Sequence, residues 1–517
     1  MPTLSSISST REANPAFLPF LTAILFVGLC RPAPAFAETP DDRPNVLFIA
    51  VDDLRPELQC YSTPGQPNRA ITPNLDKLAA SGIRFTRAYC NQAVCGASRL
   101  SLMTGLYPEF TNERTYHVTD WRKRWGSVVT LNQHFTANGY KTVGLGKIYH
   151  NTSGPAVDES NWTRWIRVSG QGYAKEENRQ FIRRLSNVGP GSPSSKKRGP
   201  STESAPDSDF EYSDGLRAQT AVRQIHELSS GQQPFFLAVG FTKPHLPFNA
   251  PTKYWNLYQR DEFELPSNRD IPPGYPQWAR NRLASELRAY SDIPVEGTPA
   301  EFPDDLNKRL LHGYHACVSY TDHNIGMLLD ALDGAGIAEN TIVVFWADHG
   351  WKLGDHSSWC KHTNFECDTR VPLMIRWPKV ETARGKSSAL VELIDLYPTL
   401  CDLCEIEPPA HLQGKSLVPV IHDPGIKHRD FAYSSYPHSN WENKQRVVGH
   451  SIRGEKMRYT EWWTVKGDEV VARVATDLDA DPGETTNLLP TQQEWAKQLA
   501  VELKRRVLAA RVADLSK

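Results

Sequence analysis

Arg43-Pro44-Asn45-Val46-Leu47-Phe48-Ile49-Ala50-Val51-Asp52-Asp53 decides the architecture. The unbroken apolar run from Val46 to Val51 has neither helical period nor alternation, the pattern of a strand buried on both faces of a parallel sheet. Ligand groups in open α/β sheets collect at the carboxyl ends of strands, where Asp52 and Asp53 fall. An aspartate pair in that place is either a helix N-cap or a seat for a hard cation such as calcium or magnesium. The same design recurs down the chain. Residues 142–150 form a second strand that delivers Lys147 and His150. Residues 234–240 form a third, followed by His245 between Pro244 and Pro247. Residues 341–346 form a fourth that ends in Asp348 and His349, and 371–377 a fifth. Helical patterns lie between them at 72–79 (Thr72 as cap, Pro73 first), 310–332 and 391–403. Strand and helix in alternation predict an α/β fold, a large domain with a mainly parallel, doubly wound sheet flanked by helices.

A second stretch carries the chemistry: Cys90-Asn91-Gln92-Ala93-Val94-Cys95-Gly96-Ala97-Ser98-Arg99-Leu100-Ser101-Leu102-Met103-Thr104-Gly105. A polar turn running into a helix places Cys95 at a helix N-terminus, where unpaired N–H groups and the dipole favour negative charge. Arg99, one turn on, adds a fixed positive fork on the same face. Residue chemistry alone leaves a structural cysteine open. The wording C-x-x-S-R-x-x-L-x-T-G resembles the signature of the formylglycine-dependent sulfatases, a family of the alkaline-phosphatase-like superfamily. The resemblance runs from Asn45 to Asn487. It is closest to the iduronate-2-sulfatases at Gly146-Lys147-Ile148-Tyr149-His150, Lys243-Pro244-His245-Leu246-Pro247-Phe248, Asp348-His349, and Ser451-Ile452-Arg453 with Arg458-Tyr459-Thr460-Glu461-Trp462.

That resemblance implies an exported sulfuric ester hydrolase acting on sulfated oligo- or polysaccharides, at a uronic-acid 2-O-sulfate. It implies a calcium ion held by Asp52, Asp53, Asp348 and His349, with Cys95, converted to formylglycine by a maturation enzyme, as a further ligand. Arg99 keeps the nucleophile in place, Lys147, His245 and Lys361 bind the sulfate oxygens, and His245 or Lys361 protonates the leaving oxygen. His150 takes the proton whose loss expels sulfate, and Trp351 shapes the substrate pocket. The family usually has proline two residues after the cysteine, where this chain has Ala97, a departure that bears on recognition by the maturation enzyme. The alternatives are a phosphodiester or phosphonate monoester hydrolase of the same superfamily and a glycan-binding protein whose Cys95 stays a thiol.

Composition sets the remaining bounds. A chain of 517 residues has 58 basic and 59 acidic side chains, so no global field points to nucleic acid or an anionic membrane. Its 38 prolines and 14 tryptophans suit fixed loops around aromatic clefts. The apolar run 17–30 followed by Ala35-Phe36-Ala37 predicts a secretory signal at 1–37, cut after Ala37, and a secreted or periplasmic protein with no membrane span thereafter. The catalytic domain is expected at 38–425, with a flexible insertion at 151–214 whose Gly/Ser/Pro-rich part, 189–208, cannot bury a core. Residues 426–517 read as a smaller α+β subdomain. Within it 450–463 alternates like an exposed strand of an antiparallel sheet, and a closing helix covers 492–512. Cys60, Cys90, Cys317, Cys360 and Cys367 are scattered and give no connectivity, and Cys401 and Cys404 read as helix cysteines.

Overall fold

The computed structural model describes residues 42–515 apart from 63–68, 117, 119, 153, 187–197, 207, 281–285, 381–383, 441–442 and 492. The expected signal segment lies outside them, as do residues 189–197 and 207 of the Gly/Ser/Pro-rich part of the expected insertion. Asp41–Lys517 is one compact unit. Its strands are, in chain order, β1 (Asn45–Val51), β2 (Ile83–Tyr89), β3 (Lys141–Gly146), β4 (Arg164–Ile166), β5 (Thr202–Ala205), β6 (Phe235–Phe241), β7 (Phe248–Pro251) and β8 (Thr341–Ala347). The two-residue strands β9 (Lys352–Leu353) and β10 (Trp359–Cys360) lead to β11 (Arg370–Arg376) and β12 (Gly385–Glu392). Last come β13 (Ala432–Ser439), β14 (Arg446–Arg453), β15 (Met457–Thr464) and β16 (Val470–Asp477).

The central eight-stranded sheet has the order β12-β2-β11-β8-β1-β6-β3-β4. β1, the apolar run that opened the sequence, lies in its middle, parallel to both β6 and β8. Register fixes the functional edge. Val51 faces Phe241 on one side and Ala347 on the other, and Gly146 faces Gly240. The residues that follow, Asp52, Lys147, Thr242 and Asp348, therefore emerge together at one carboxyl end. Gly240 has to be glycine, because a Cβ there would come within 2.2 Å of the Lys147 backbone. β11 runs antiparallel to both neighbours, β2 and β8. The chain between β8 and β11 carries the β9–β10 hairpin and the single turn Glu366–Thr369, with no crossover helix to return it in parallel.

Helices flank the sheet, the longest being Asp304–Gly334. Helix α1 (Pro73–Ser81) starts at Pro73 with Thr72 in the N-cap place, as the sequence predicts, but the Thr72 side chain does not bond the free N–H groups. Asp322 of the long helix does, accepting the N–H groups of Asn74 and Leu75 at 3.2 and 2.7 Å. The helix expected over 391–403 begins only at Leu396, because Val391 and Glu392 end β12, parallel to β2, and Leu393–Asp395 form a single 3-10 turn. Much of 151–214, expected as a flexible insertion, is built into the fold. β4 pairs with β3, a helix covers Glu176–Ser186, and β5 pairs with β7. Its polar residues find buried partners: Glu203 accepts from the Ala174 and Lys175 N–H groups and from the Tyr212 hydroxyl.

A four-stranded antiparallel sheet, β13-β14-β15-β16, forms the second layer system. The stretch 450–463, expected as an exposed strand, belongs to β14 and β15, and both are buried along most of their length. One face (Tyr433, Ile452, Tyr459, Trp463) packs on Leu499, Leu503 and Val507 of the closing helix Gln493–Ala510, and the other (Val447, Trp462) on Tyr275, Trp278 and Phe365. The alternation thus marks two buried faces whose polar members find partners: Arg458 Nε lies 3.0 Å from Glu484, and the Thr460 hydroxyl donates to Ser451 at 3.0 Å. All eight cysteines among the described residues are free thiols.

Candidate active site

Four strand ends and one helix start converge. Helix α2 (Cys95–Thr104) places Cys95 in its first position, with Val94 extended before it. Asp52, Asp53, Cys95 and His349 have ligand atoms that all lie within 4.8 Å of one another, and all four residues are buried. His349 Nε2 lies 3.2 Å from the Cys95 sulfur and its Nδ1 3.5 Å from Asp53 Oδ1. Asp348 is not one of those four but is fixed beside them. Its Oδ1 accepts the N–H groups of Asp53 and His349 at 3.2 and 3.0 Å, and its Oδ2 stands 3.5 Å from His349 Nε2.

Arg99 is buried at the base. Its Nε donates to Asp348 Oδ2 at 2.8 Å and its Nη2 lies 3.3 Å from Asp52 Oδ1. The third guanidinium nitrogen donates to the Lys147 and Ile148 carbonyls, tying α2 to the end of β3. The Lys147 ammonium pairs with Asp52 Oδ2. Lys361 Nζ donates to both oxygens of Asp53, at 2.9 and 3.1 Å, and rests 4.7 Å above the Trp351 ring. His245 Nε2 is 4.0 Å from Asp52 and 3.9 Å from Asp53. Lys243 anchors the loop that carries it by donating to the His245 carbonyl at 2.9 Å. His150 lies under Tyr116, ring centres 5.8 Å apart.

Trp351, expected to shape the pocket, has no exposed surface. Its ring packs edge-on against Phe248, and what it offers the site is a seat for the Lys361 ammonium. Gly96 is required where it stands, since a Cβ would meet the Thr115 carbonyl oxygen at 2.5 Å, and this close approach brings the Tyr116 loop over α2. Ala97 sits in the first turn of α2, where backbone N–H groups lack intrahelical acceptors, so alanine and proline both suit the position.

Burial and charge set the protonation of the site. Burial raises the Asp52 carboxyl, but Lys147, His245 and Arg99 outweigh it and hold the group well below the usual carboxylate range. Burial pushes Asp53 up to about 7, Asp52 adding to the rise and Lys361 opposing it. Burial, then the Asp52 charge, raises the Cys95 thiol well above its ordinary value, so residue 95 as cysteine is a neutral thiol and a poor nucleophile. Burial and then Lys147 lower His150 to about 3, leaving its imidazole neutral. Two adjacent carboxylates, one of them loath to ionise, with an imidazole and an oxygen-compatible position at residue 95, form a donor set that fits a hard divalent cation.

Sequence reasoning missed Glu286, whose carboxylate lies 3.0 Å from both His245 Nε2 and Lys361 Nζ. Burial raises it, but Lys361 and His245 prevail and hold it well below the usual range, so it is an anion. It comes from the stretch 250–305, which has little periodicity, and no pattern marked it. Tyr436 on β13, stacked on His362 at 5.5 Å, is a second unforeseen neighbour of Lys361 and residue 95.

The family model described as Sulfatase matches residues 44–406, and that described as N-sulphoglucosamine sulphohydrolase, C-terminal, matches 354–513. The chain is 30% identical to iduronate 2-sulfatase of Homo sapiens, over 88% of this chain and 93% of that one. Among solved structures, one in complex with D-glucosamine-2-N,6-O-disulfate superposes with a TM-score of 0.69 at 23% identity, covering 91% of this chain and 98% of that one. A phosphonate monoester hydrolase from Silicibacter pomeroyi shares the fold with a TM-score of 0.69 at 20% identity, covering 90% and 95%. A buried carboxylate–imidazole–cysteine cluster at the strand ends, within a chain matched along most of its length, gives one conclusion: this protein belongs to the sulfatase family and is a sulfuric ester hydrolase.

Proposed function

We propose that the protein removes 2-O-sulfate from uronic-acid residues of sulfated glycans, using calcium and a formylglycine made from Cys95, after export from the cytoplasm. The observation that carries the reading is residue 95 at the first position of α2, its sulfur 3.2 Å from His349 and flanked by Asp52 and Asp53, with Lys147, His245 and Lys361 around it. The preference for uronate rests on the likeness to human iduronate 2-sulfatase.

Asp52, Asp53, Asp348 and His349 would hold the cation, which supplies charge stabilisation and acidifies the nucleophile bound to it. Arg99 fixes Asp52 and Asp348 so that neither swings toward substrate. Lys147, Lys361 and His245 converge on the negative charge that spreads over the sulfate oxygens as the S–O bond opens. His245 or Lys361 gives a proton to the departing sugar oxygen, and neutral His150 takes one from residue 95. Exchange of Cys95 for alanine removes the nucleophile and leaves the surrounding ion pairs in place.

The test is release of inorganic sulfate from uronate-containing disaccharides that carry a single 2-O-, 6-O- or N-sulfate, with the C95A variant as blank. Turnover confined to the 2-O-sulfated member supports the reading. Turnover of the 6-O or N member instead keeps the sulfatase and overturns the ring position. No release of sulfate from any of them, with Cys95 converted, overturns the whole proposal.

A further inference from the structure

The two donors at the mouth of the site, the His245 imidazole and the Lys361 ammonium, are held from below and from above by different carboxylates. From below, Asp53 takes the Lys361 ammonium, and both Asp52 and Asp53 lie about 4 Å from His245 Nε2. From the pocket side one carboxylate, Glu286, spans both, with Oε1 3.0 Å from His245 Nε2 and Oε2 3.0 Å from Lys361 Nζ. Its side chain is 17% exposed, whereas Asp52 and Asp53 have no exposure. Two carboxylate oxygens on two donors make the same two-point contact that two terminal oxygens of a bound ester group would make.

We propose that Glu286 is a specificity-determining residue, a built-in counter-anion that tunes the seat between His245 and Lys361 to ester groups of a single negative charge. The inference rests on the reading of His245 and Lys361 as the sulfate-binding pair. Arg99, Lys147 and Lys361 each already face a carboxylate: Arg99 faces Asp52 and Asp348, Lys147 faces Asp52, and Lys361 faces Asp53. Glu286 therefore adds negative charge where these three cations are already paired, and an incoming anion must approach or displace it. In a largely buried site the repulsion is weakly screened and grows with the charge on the incoming group. A sulfate ester and a phosphonate monoester each carry one charge, whereas a phosphate monoester carries between about 1.5 and 2 near neutral pH. Glu286 thus penalises the phosphate monoester by charge, not by shape.

The experiment compares kcat/KM of matured wild type and E286Q on 4-nitrophenyl sulfate, 4-nitrophenyl phosphate and 4-nitrophenyl phenylphosphonate. The phosphate-to-sulfate ratio should rise by about tenfold or more in E286Q, while the phosphonate-to-sulfate ratio stays put. An unmoved phosphate-to-sulfate ratio overturns the proposal, and so does an equal rise for phosphonate, which would show a change of shape. Should E286Q not fold, wild type answers by inhibition. Inorganic phosphate should weaken against inorganic sulfate as pH rises from about 5.5 to about 8 and phosphate gains its second charge, and a constant ratio refutes the assignment. Absence of any aryl sulfate turnover by matured wild type would remove the sulfate reading itself, a failure distinct from an unmoved ratio.

Discussion

Arg99 shows what a single residue does here. It has no exposed surface, and its guanidinium joins two carboxylates and two backbone carbonyls at once. Arg99→Ala leaves Asp348 without its buried cation and Asp52 with Lys147 alone, so stability should fall by about 3–5 kcal/mol in chemical denaturation. R99K should recover little activity, because an ammonium cannot reproduce the forked contacts. Trp351 gives a second prediction at this scale. W351L removes the ring beneath Lys361 while keeping apolar bulk, and kcat/KM should fall by about tenfold, since a cation–π contact in a desolvated site is worth about 2 kcal/mol or less. Residues at strand ends were legible because a fixed chain position fixes their place: Asp52, Lys147, His245 and Asp348 all follow apolar runs. Glu286 was not legible, for it reaches the site from aperiodic chain whose course tertiary packing alone decides.

At the scale of elements, α1 and the long helix are joined by Asp322, which accepts two N–H groups at the start of α1. D322A should lower stability by about 1–2 kcal/mol with kcat unchanged, measured by denaturation and by sulfate release. Thr72 looked like the cap because Ser, Thr, Asp and Asn before a helix usually are, but a cap can come from far along the chain, and local sequence holds no trace of it. The late start of the helix at Leu396 has a similar cause. Val391, like Ala389 and Leu390 before it, suits either structure, and β2 offered an edge to pair with. The antiparallel turn of β11 was hidden as well, since an apolar run does not state its direction.

For the whole molecule, the second sheet is bound to the first through buried charge. Arg429 lies 2.8 Å from Glu392 and also pairs with Asp395, while Asn91, next to the nucleophile turn, donates to Glu392 and to the Tyr433 carbonyl. R429A should therefore destabilise the entire chain in one transition, by about 3–5 kcal/mol, rather than release residues 432–477 alone. Metal and pH are linked through Asp53. Its carboxyl is raised to about 7 in the fold, against about 3.9 in an unfolded chain, so between those values the folded state holds the extra proton. Stability of chelated protein should fall as pH rises through that window, and calcium, replacing the proton, should restore it. The gain in Tm on adding calcium should thus be larger at about pH 8 than at about pH 5.

The account turns on residue 95 as a converted aldehyde among these cations. The direct measurement is the mass of the tryptic peptide 88–99 in preparations matured to different extents, set against their rate of sulfate release from a 2-O-sulfated uronate disaccharide. The account requires the rate to rise in proportion to the aldehyde-bearing fraction and to vanish when all of residue 95 is thiol. Sulfate release from fully thiol protein, or none from fully converted protein on any sulfate ester, would contradict it.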